Sequence, residues 1–234
     1  NAKIACKFLM LERIKKKIHL FHNIYIKHKY LTHKKSYSMD GEDIFLANYF
    51  KNKANGFYVD IGCYHPIHRN NTLLLHKKGW TGINVDIHEF SIYLFKYLRP
   101  KDFNYNYAVS NKDGFEEMYF QKKLSQISTI KEKRSKEVFQ GNIKRSKIKS
   151  LKLDTILSQT KLKNIKIDLL DIDVEGADLK VLEGFSINKY QPELICIEIH
   201  DKDIKRSKIY DHLNKFNYKL VWSGVFSHIF RVNI

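Results

Sequence analysis

Asp60 and Asp86 stand 26 residues apart, each closing a short apolar run, and Asp173 with Glu175 closes a third run further along. Carboxylates in such places accept hydrogen bonds from hydroxyls, take up protons, or face a cation. A charged residue ending an apolar strand must be paired, solvated or bound. The plain alternative is a turn, which Asp and Gly form readily. The loop after Asp60 has the single glycine Gly62, not the G-x-G-x-x-G that brings backbone amides against a pyrophosphate. A ligand with a ribose but no phosphate needs no such loop. An acidic residue ending the second strand of a βαβ unit, as Asp86 does, suits ribose hydroxyls. A carboxylate beside the loop attracts a cation and repels a pyrophosphate. S-adenosylmethionine joins a ribose to a sulfonium and an amino group without phosphate, and is the ligand these features describe.

Were the methyl of such a donor passed to a hydroxyl, the hydroxyl's proton would have to be taken up by a carboxylate or an imidazole within hydrogen-bond reach. Asp173, His200 and His65 are the candidates, and Gly176 supplies a turn that brings Asp173 and Glu175 to the same mouth. Glu175 and Asp178 equally suit the first turn of a helix, where negative charge is favoured. Asp171, Asp173 and Glu175 offer the oxygen ligands that Mg²⁺ prefers, but spacing alone assembles no site and no metal is assigned.

The elements that must position these residues alternate. Apolar runs predict strands over 57–62, 82–87, 103–109, 165–174 and 193–199, and periodicity predicts helices over 71–78, 89–98, 177–183 and 204–215. Gly79 stops the first of these helices and Pro100 the second. An antiparallel strand is expected at 115–120, and a closing pair at 218–223 and 227–233. Such alternation implies a mostly parallel sheet with helices on both faces and an antiparallel hairpin at its edge. Residues 122–149 are polar and basic and read as a loop insertion, a candidate lid over the acceptor.

Ahead of this lies a basic segment, residues 1–35, with ten Lys/Arg against one Glu. Ile14, Ile18, Phe21 and Tyr25 fall on one helical face. That face suits an anionic membrane surface, or packing on its own domain or a second subunit. Thr32 to Ser38 reads as a linker, and Asp40-Gly41-Glu42-Asp43 opens a helix.

At 234 residues, 43% hydrophobic, the chain suits one α/β domain with a sizeable core. Its net charge of +17 is mostly lysine spread along the chain, and reads as solvated surface rather than a nucleic-acid groove. Cys6, Cys63 and Cys196 are odd in number, far apart and without C-x-x-C spacing, which predicts a reducing compartment, the cytoplasm, with peripheral membrane contact through 1–35 as the variant. No apolar run is long enough to span a bilayer.

Several stretches, in order, resemble the FkbM-family methyltransferases: SYSMDGED (36–43), GFYVDIGCYHP (56–66), NNT (70–72), GWTGINVD (79–86), RPKD (99–102), AVS (108–110), DIDVEGADLKVLEG (171–184) and PELICIEIH (192–200). The resemblance spans roughly 36–233. It implies a three-layer, Rossmann-like class I methyltransferase fold, S-adenosylmethionine as methyl donor, and O-methylation of a sugar or other natural-product hydroxyl. It also implies that Asp60 and Gly62, with Cys63 beside them, lie against the methionine part. Asp86, with Ile87, would hold the ribose, and Ala108 with Val109 would flank the adenine. Three residues depart from the family: Met39 stands where Gln is common, Asp171 where Lys often precedes the I-D-V-E-G core, and Cys63 in place of another small residue. The reading is an S-adenosylmethionine-dependent O-methyltransferase acting on a glycan or other small hydroxylated acceptor. The alternatives are a nucleic-acid methyltransferase, for which no aromatic-rich recognition module is visible, and a non-catalytic membrane-peripheral protein that keeps the fold.

Overall fold

A computed structural model describes residues 2–122, 128–160, 162 and 165–233, with side chains from Cys6 onward. Its described strands are β1 Phe57–Ile61, β2 Thr81–Asp86, β3 Phe103–Asn106, β4 Ala108–Val109, β5 Gly114–Phe120, β6 Lys144–Leu151, β7 Leu169–Ile172, β8 Leu194–Glu198, β9 Tyr218–Ser223 and β10 Ser227–Val232. Seven form one sheet in the order β3-β2-β1-β7-β8-β10-β9. Its first five strands run parallel. β10 runs antiparallel to both β8 and β9.

Strands covered on both faces read as continuous apolar runs, and β1 shows why. Val59 and Ile61 join a cluster with Ile156, Val181 and Leu213, from the helices Leu153–Gln159, Asp178–Glu183 and Lys208–Lys215. Tyr58, one residue before Val59, points to the opposite cluster with Leu46, Leu75 and Trp80.

Four stretches depart from expectation. The run 103–109 divides at Tyr107, and Ala108–Val109 leaves the main sheet to pair with β6. β5 pairs antiparallel with that same strand, making a second sheet, β4-β6-β5. Residues 122–149, expected as a loop, therefore hold most of β6 and the helix Glu132–Val138. Lysines hid the strand. Lys147 lies over the Phe115 ring at 4.8 Å and Lys149 over Tyr107 at 5.4 Å, so cations on aromatic faces replace the usual apolar alternation. The helix expected at 204–215 breaks at Ser207, whose hydroxyl accepts from Ile209 N–H at 3.2 Å as an N-cap.

The N-terminal segment forms a helix, Ala2–Phe21, that runs into a π-helical turn, His22–Lys27. Leu20 and Ile24 dock it against Ile67, Leu73, Phe90 and Leu94. Ile14, Ile18 and Phe21, from the expected apolar face, point instead to solvent. The expected linker is tied down. Asp43, fully buried, accepts from Tyr37 N–H at 2.7 Å and from the Ser36 and Ser38 hydroxyls at 2.8 Å each.

The helix Glu89–Leu98 delivers Arg99 into the interior, where it is 1% exposed. Its guanidinium donates to Tyr58 Oη (3.1 Å), Thr72 Oγ1 (2.8 Å), Pro66 O (3.0 Å) and Asn70 Oδ1 (2.8 Å). Tyr58 also donates to Asp102, which accepts from Gly82 N–H and Asn84 Nδ2. Removing one member of a buried charged network leaves the rest unpaired. Arg99→Met should lower unfolding free energy by about 3–5 kcal/mol in denaturant titration.

Three imidazoles meet where the N-terminal segment docks. His28 stacks on His68 and meets the edge of His65, both at 4.4 Å. Burial, then the neighbouring histidines and lysines, lowers the His28 pKa to about 4 and holds those of His65 and His68 below the usual value. The unfolded chain binds protons from about pH 6.5 downward, the folded chain only further down. Stability from this cluster is therefore complete above about pH 6.5 and declines as pH falls toward 4. Unfolding midpoints should drop over that window, and drop less in His28→Phe.

Candidate active site

The strand order reverses between β1 and β7, and in such sheets ligands lie beyond the strand ends at that reversal. There Gly62, at φ +85°, donates its N–H to Val85 O at 2.8 Å. A Cβ on Gly62 would lie 1.7 Å from the Asp173 carbonyl oxygen, so only glycine lets the exit of β1 pass that of β7. Beyond Asp173 the chain turns through Glu175 (φ +52°) and Gly176 (φ +88°). Asp178 holds the turn by accepting from Val174 and Gly176 N–H, each at 3.0 Å.

A cavity of about 510 Å³, mouth included, opens at these ends. Gly62, Tyr64, Asp86, Ile87, Ala108, Val109, Asp173 and Glu175 line it, and among the described residues no lysine or arginine does. Asp86 accepts N–H bonds from Tyr64 (2.8 Å) and His88 (2.6 Å), one on each oxygen. Burial raises its pKa, against the pull of His88 and those two N–H groups. Each oxygen keeps lone-pair capacity toward the cavity. Ile87, Ala108 and Val109, with Ile130 from the insertion, make its apolar side.

A second cavity of about 600 Å³ shares Gly62, Tyr64, Asp173 and Glu175 with the first. Asp40, Glu42 and Glu198 add carboxylates to it, with Arg69 as the basic lining residue. Asp173 thus stands between the two, open to both. Among the described residues nothing hydrogen-bonds its carboxylate. Solvent reaches it at the mouth, but partial desolvation by the surrounding strand ends, then Glu198, Glu175, Asp178 and Asp171, raises its pKa above the usual range. Burial and Glu198 lift Glu175 to about 6, with Arg134 opposing, and lift Asp178 to about 7. Arg134 Nη2 donates to Glu175 Oε2 and lies against His200 Nε2, each at 3.2 Å. His200 pairs with Glu198 at 2.9 Å, and that bond raises its pKa.

The geometry brings together Gly62, Asp86, Ile87, Ala108, Val109 and Asp173, with His200 behind Glu198. It does not bring in Asp60, Cys63 or His65. Asp60 is 3% exposed and turns inward, accepting from Thr72 Oγ1 (2.8 Å) and Asn70 Nδ2 (3.3 Å). Burial lifts its pKa to about 6 against the field of Arg99. Cys63 packs on Ile92 and Phe95. His65 is fully buried, its Nδ1 accepting from Ile67 and His68 N–H, and it lines neither cavity. Asp171 is buried on β7 and accepts from Asn71 Nδ2 at 3.1 Å. Among the described residues, the acidic group close enough to share an ion is Glu175, Glu198 and His200, with ligand atoms within 4.8 Å, and Arg134 already supplies its cation. Sequence reasoning missed Tyr64, Glu42, Glu198 and Arg134. The alternation in Ile197-Glu198-Ile199-His200 carried a signal for Glu198, but no spacing links Arg134 to it.

Comparison with curated proteins returns no match, and comparison with solved structures returns none. The family model for the methyltransferase FkbM domain matches residues 60–220, more than half of the chain and all of the strand ends described above. The chain belongs to the FkbM methyltransferase family.

Proposed function

We propose that this methyltransferase uses S-adenosylmethionine, in a three-layer class I fold with an antiparallel edge, to methylate a hydroxyl of a sugar, glycan or similar small acceptor. The observation that carries the reading is a cavity lined, among the described residues, by no lysine or arginine in a chain of net charge +17, and sharing Asp173 with a carboxylate-lined second cavity. Among the described residues a phosphate-bearing cofactor finds no lysine or arginine there. A ligand whose charge is positive finds Asp86, Asp173 and Glu175.

When bound, S-adenosylmethionine supplies an electrophilic methyl group. Asp86 accepts hydrogen bonds from the ribose hydroxyls, and Ile87, Ala108 and Val109 give the adenine an apolar slot. Asp173 orients the acceptor hydroxyl and takes up its proton. A carboxylate whose pKa is raised by its surroundings is a stronger proton acceptor than a free one. The His200–Glu198 pair, one shell behind, is the route by which that proton leaves.

Asp86→Ala should weaken binding of S-adenosylmethionine by about 1.5–3 kcal/mol in calorimetry, the scale for hydrogen bonds to a charged group. Unchanged affinity in a protein that melts normally would reject the ribose assignment. Asp173→Asn keeps shape and removes charge, so turnover at saturating donor should fall by about 10²–10⁴-fold with donor affinity changing little. Near wild-type turnover would leave His200 as the base.

A further inference from the structure

The N-terminal helix has two apolar sides. Leu20, with His19 stacked on Phe90 at 4.3 Å and Lys16 bonded to Glu89 at 2.7 Å, marks the side that faces the domain. Leu11, Ile14, Ile18 and Phe21 recur at i, i+3, i+7 and i+10, on the far side by helical geometry. They are 49%, 43%, 63% and 55% exposed, so the domain leaves this stripe uncovered. Lys15 and Lys17 stand exposed along its two edges, and Lys7 lies on it one turn earlier. Glu12, the sole acidic residue among 1–35, is already paired with Lys15 at 3.0 Å.

We propose that this outward stripe seats the protein on an anionic lipid surface, with the helix lying in the interface. Charge selects this occupant. The same i, i+3, i+7 stripe would suit a coiled coil with a second copy, but its flanking positions would set Lys17 and His22 against their like, the segment's one acid, Glu12, being already taken by Lys15. An anionic surface meets those cations with opposite charge, and long lysine stems let apolar side chains sink while the ammonium groups stay at the headgroups. The inference is independent of the methyltransferase reading, since no residue of the two cavities takes part.

Co-sedimentation of the full chain with vesicles tests it. Phosphatidylcholine vesicles containing phosphatidylglycerol should pull the protein down, and pure phosphatidylcholine should do so about tenfold less well or worse. Added salt should weaken the binding. Ile14→Ser/Ile18→Ser/Phe21→Ser should lose it with melting unchanged, and Lys15→Glu/Lys17→Glu should lose it with every apolar contact kept. The proposal is overturned by absent binding to anionic vesicles, by equal binding to both compositions, or by retention in either variant. A dimer that the triple serine variant converts to a monomer, without vesicle binding in the wild type, would assign the stripe to a second copy.

Discussion

The buried guanidinium of Arg99 is the constraint on which the site depends. Its four hydrogen bonds reach β1, the loop that leaves β1 and the start of the next helix, at Tyr58, Pro66, Asn70 and Thr72. A buried cation of this kind is costly unless its donors and its charge are both answered. Asn70 and Thr72 do both at once, because each bonds Arg99 and Asp60 together. The loop after β1 has little regular structure of its own. It holds its shape because it is wrapped round this charge, and Tyr64 and Gly62 line the cavity from that loop.

The two cavities are also products of one close approach. At Gly62 two backbones come nearer than any side chain would permit, and the adjoining residue, Asp173, is thereby fixed at the passage between the cavities. Charge is segregated round that point. Lysines cover the outside of the insertion and the N-terminal helix, while Asp40, Glu42, Asp173, Glu175 and Glu198 line the second cavity, where desolvation and then neighbouring carboxylates raise the pKa values of Asp173 and Glu175. From the described residues of the insertion, Arg134 reaches inward to Glu175 and His200.

Much of the parallel sheet was legible because its central strands are mostly apolar and bounded by breakers such as Gly79 before β2 and Gly62 after β1. Of the second sheet, β5 was legible at 115–120 and β6 was not. β6 has the composition of a solvated loop, and its strand character comes from aromatic partners on β5 and at Tyr107, which only the fold brings near. The N-terminal segment failed in a related way. Ile14, Ile18 and Phe21 made the more regular stripe, but Leu20 and Ile24 were the residues whose shape met Ile67 and Leu94. Periodicity counts apolar residues along a helix and carries no information about which stripe has a matching surface.

The two aspartates that began the sequence argument divide for the same kind of reason. Both end parallel strands, and position alone placed both at the donor. Residues two apart on a strand share a face, as do paired residues of neighbouring parallel strands, so depth along the strands separates the two aspartates, not face. β1 and β2 pair Asp60 with Asn84 and Ile61 with Val85, which leaves Asp86 one residue further out, beyond the end of β1. Asp60 therefore turns into the Arg99 network, while Asp86 reaches the cavity with the loop amides of Tyr64 and His88 already on it. The motif read as a donor contact is, at Asp60, the anchor of the loop that lines the cavity.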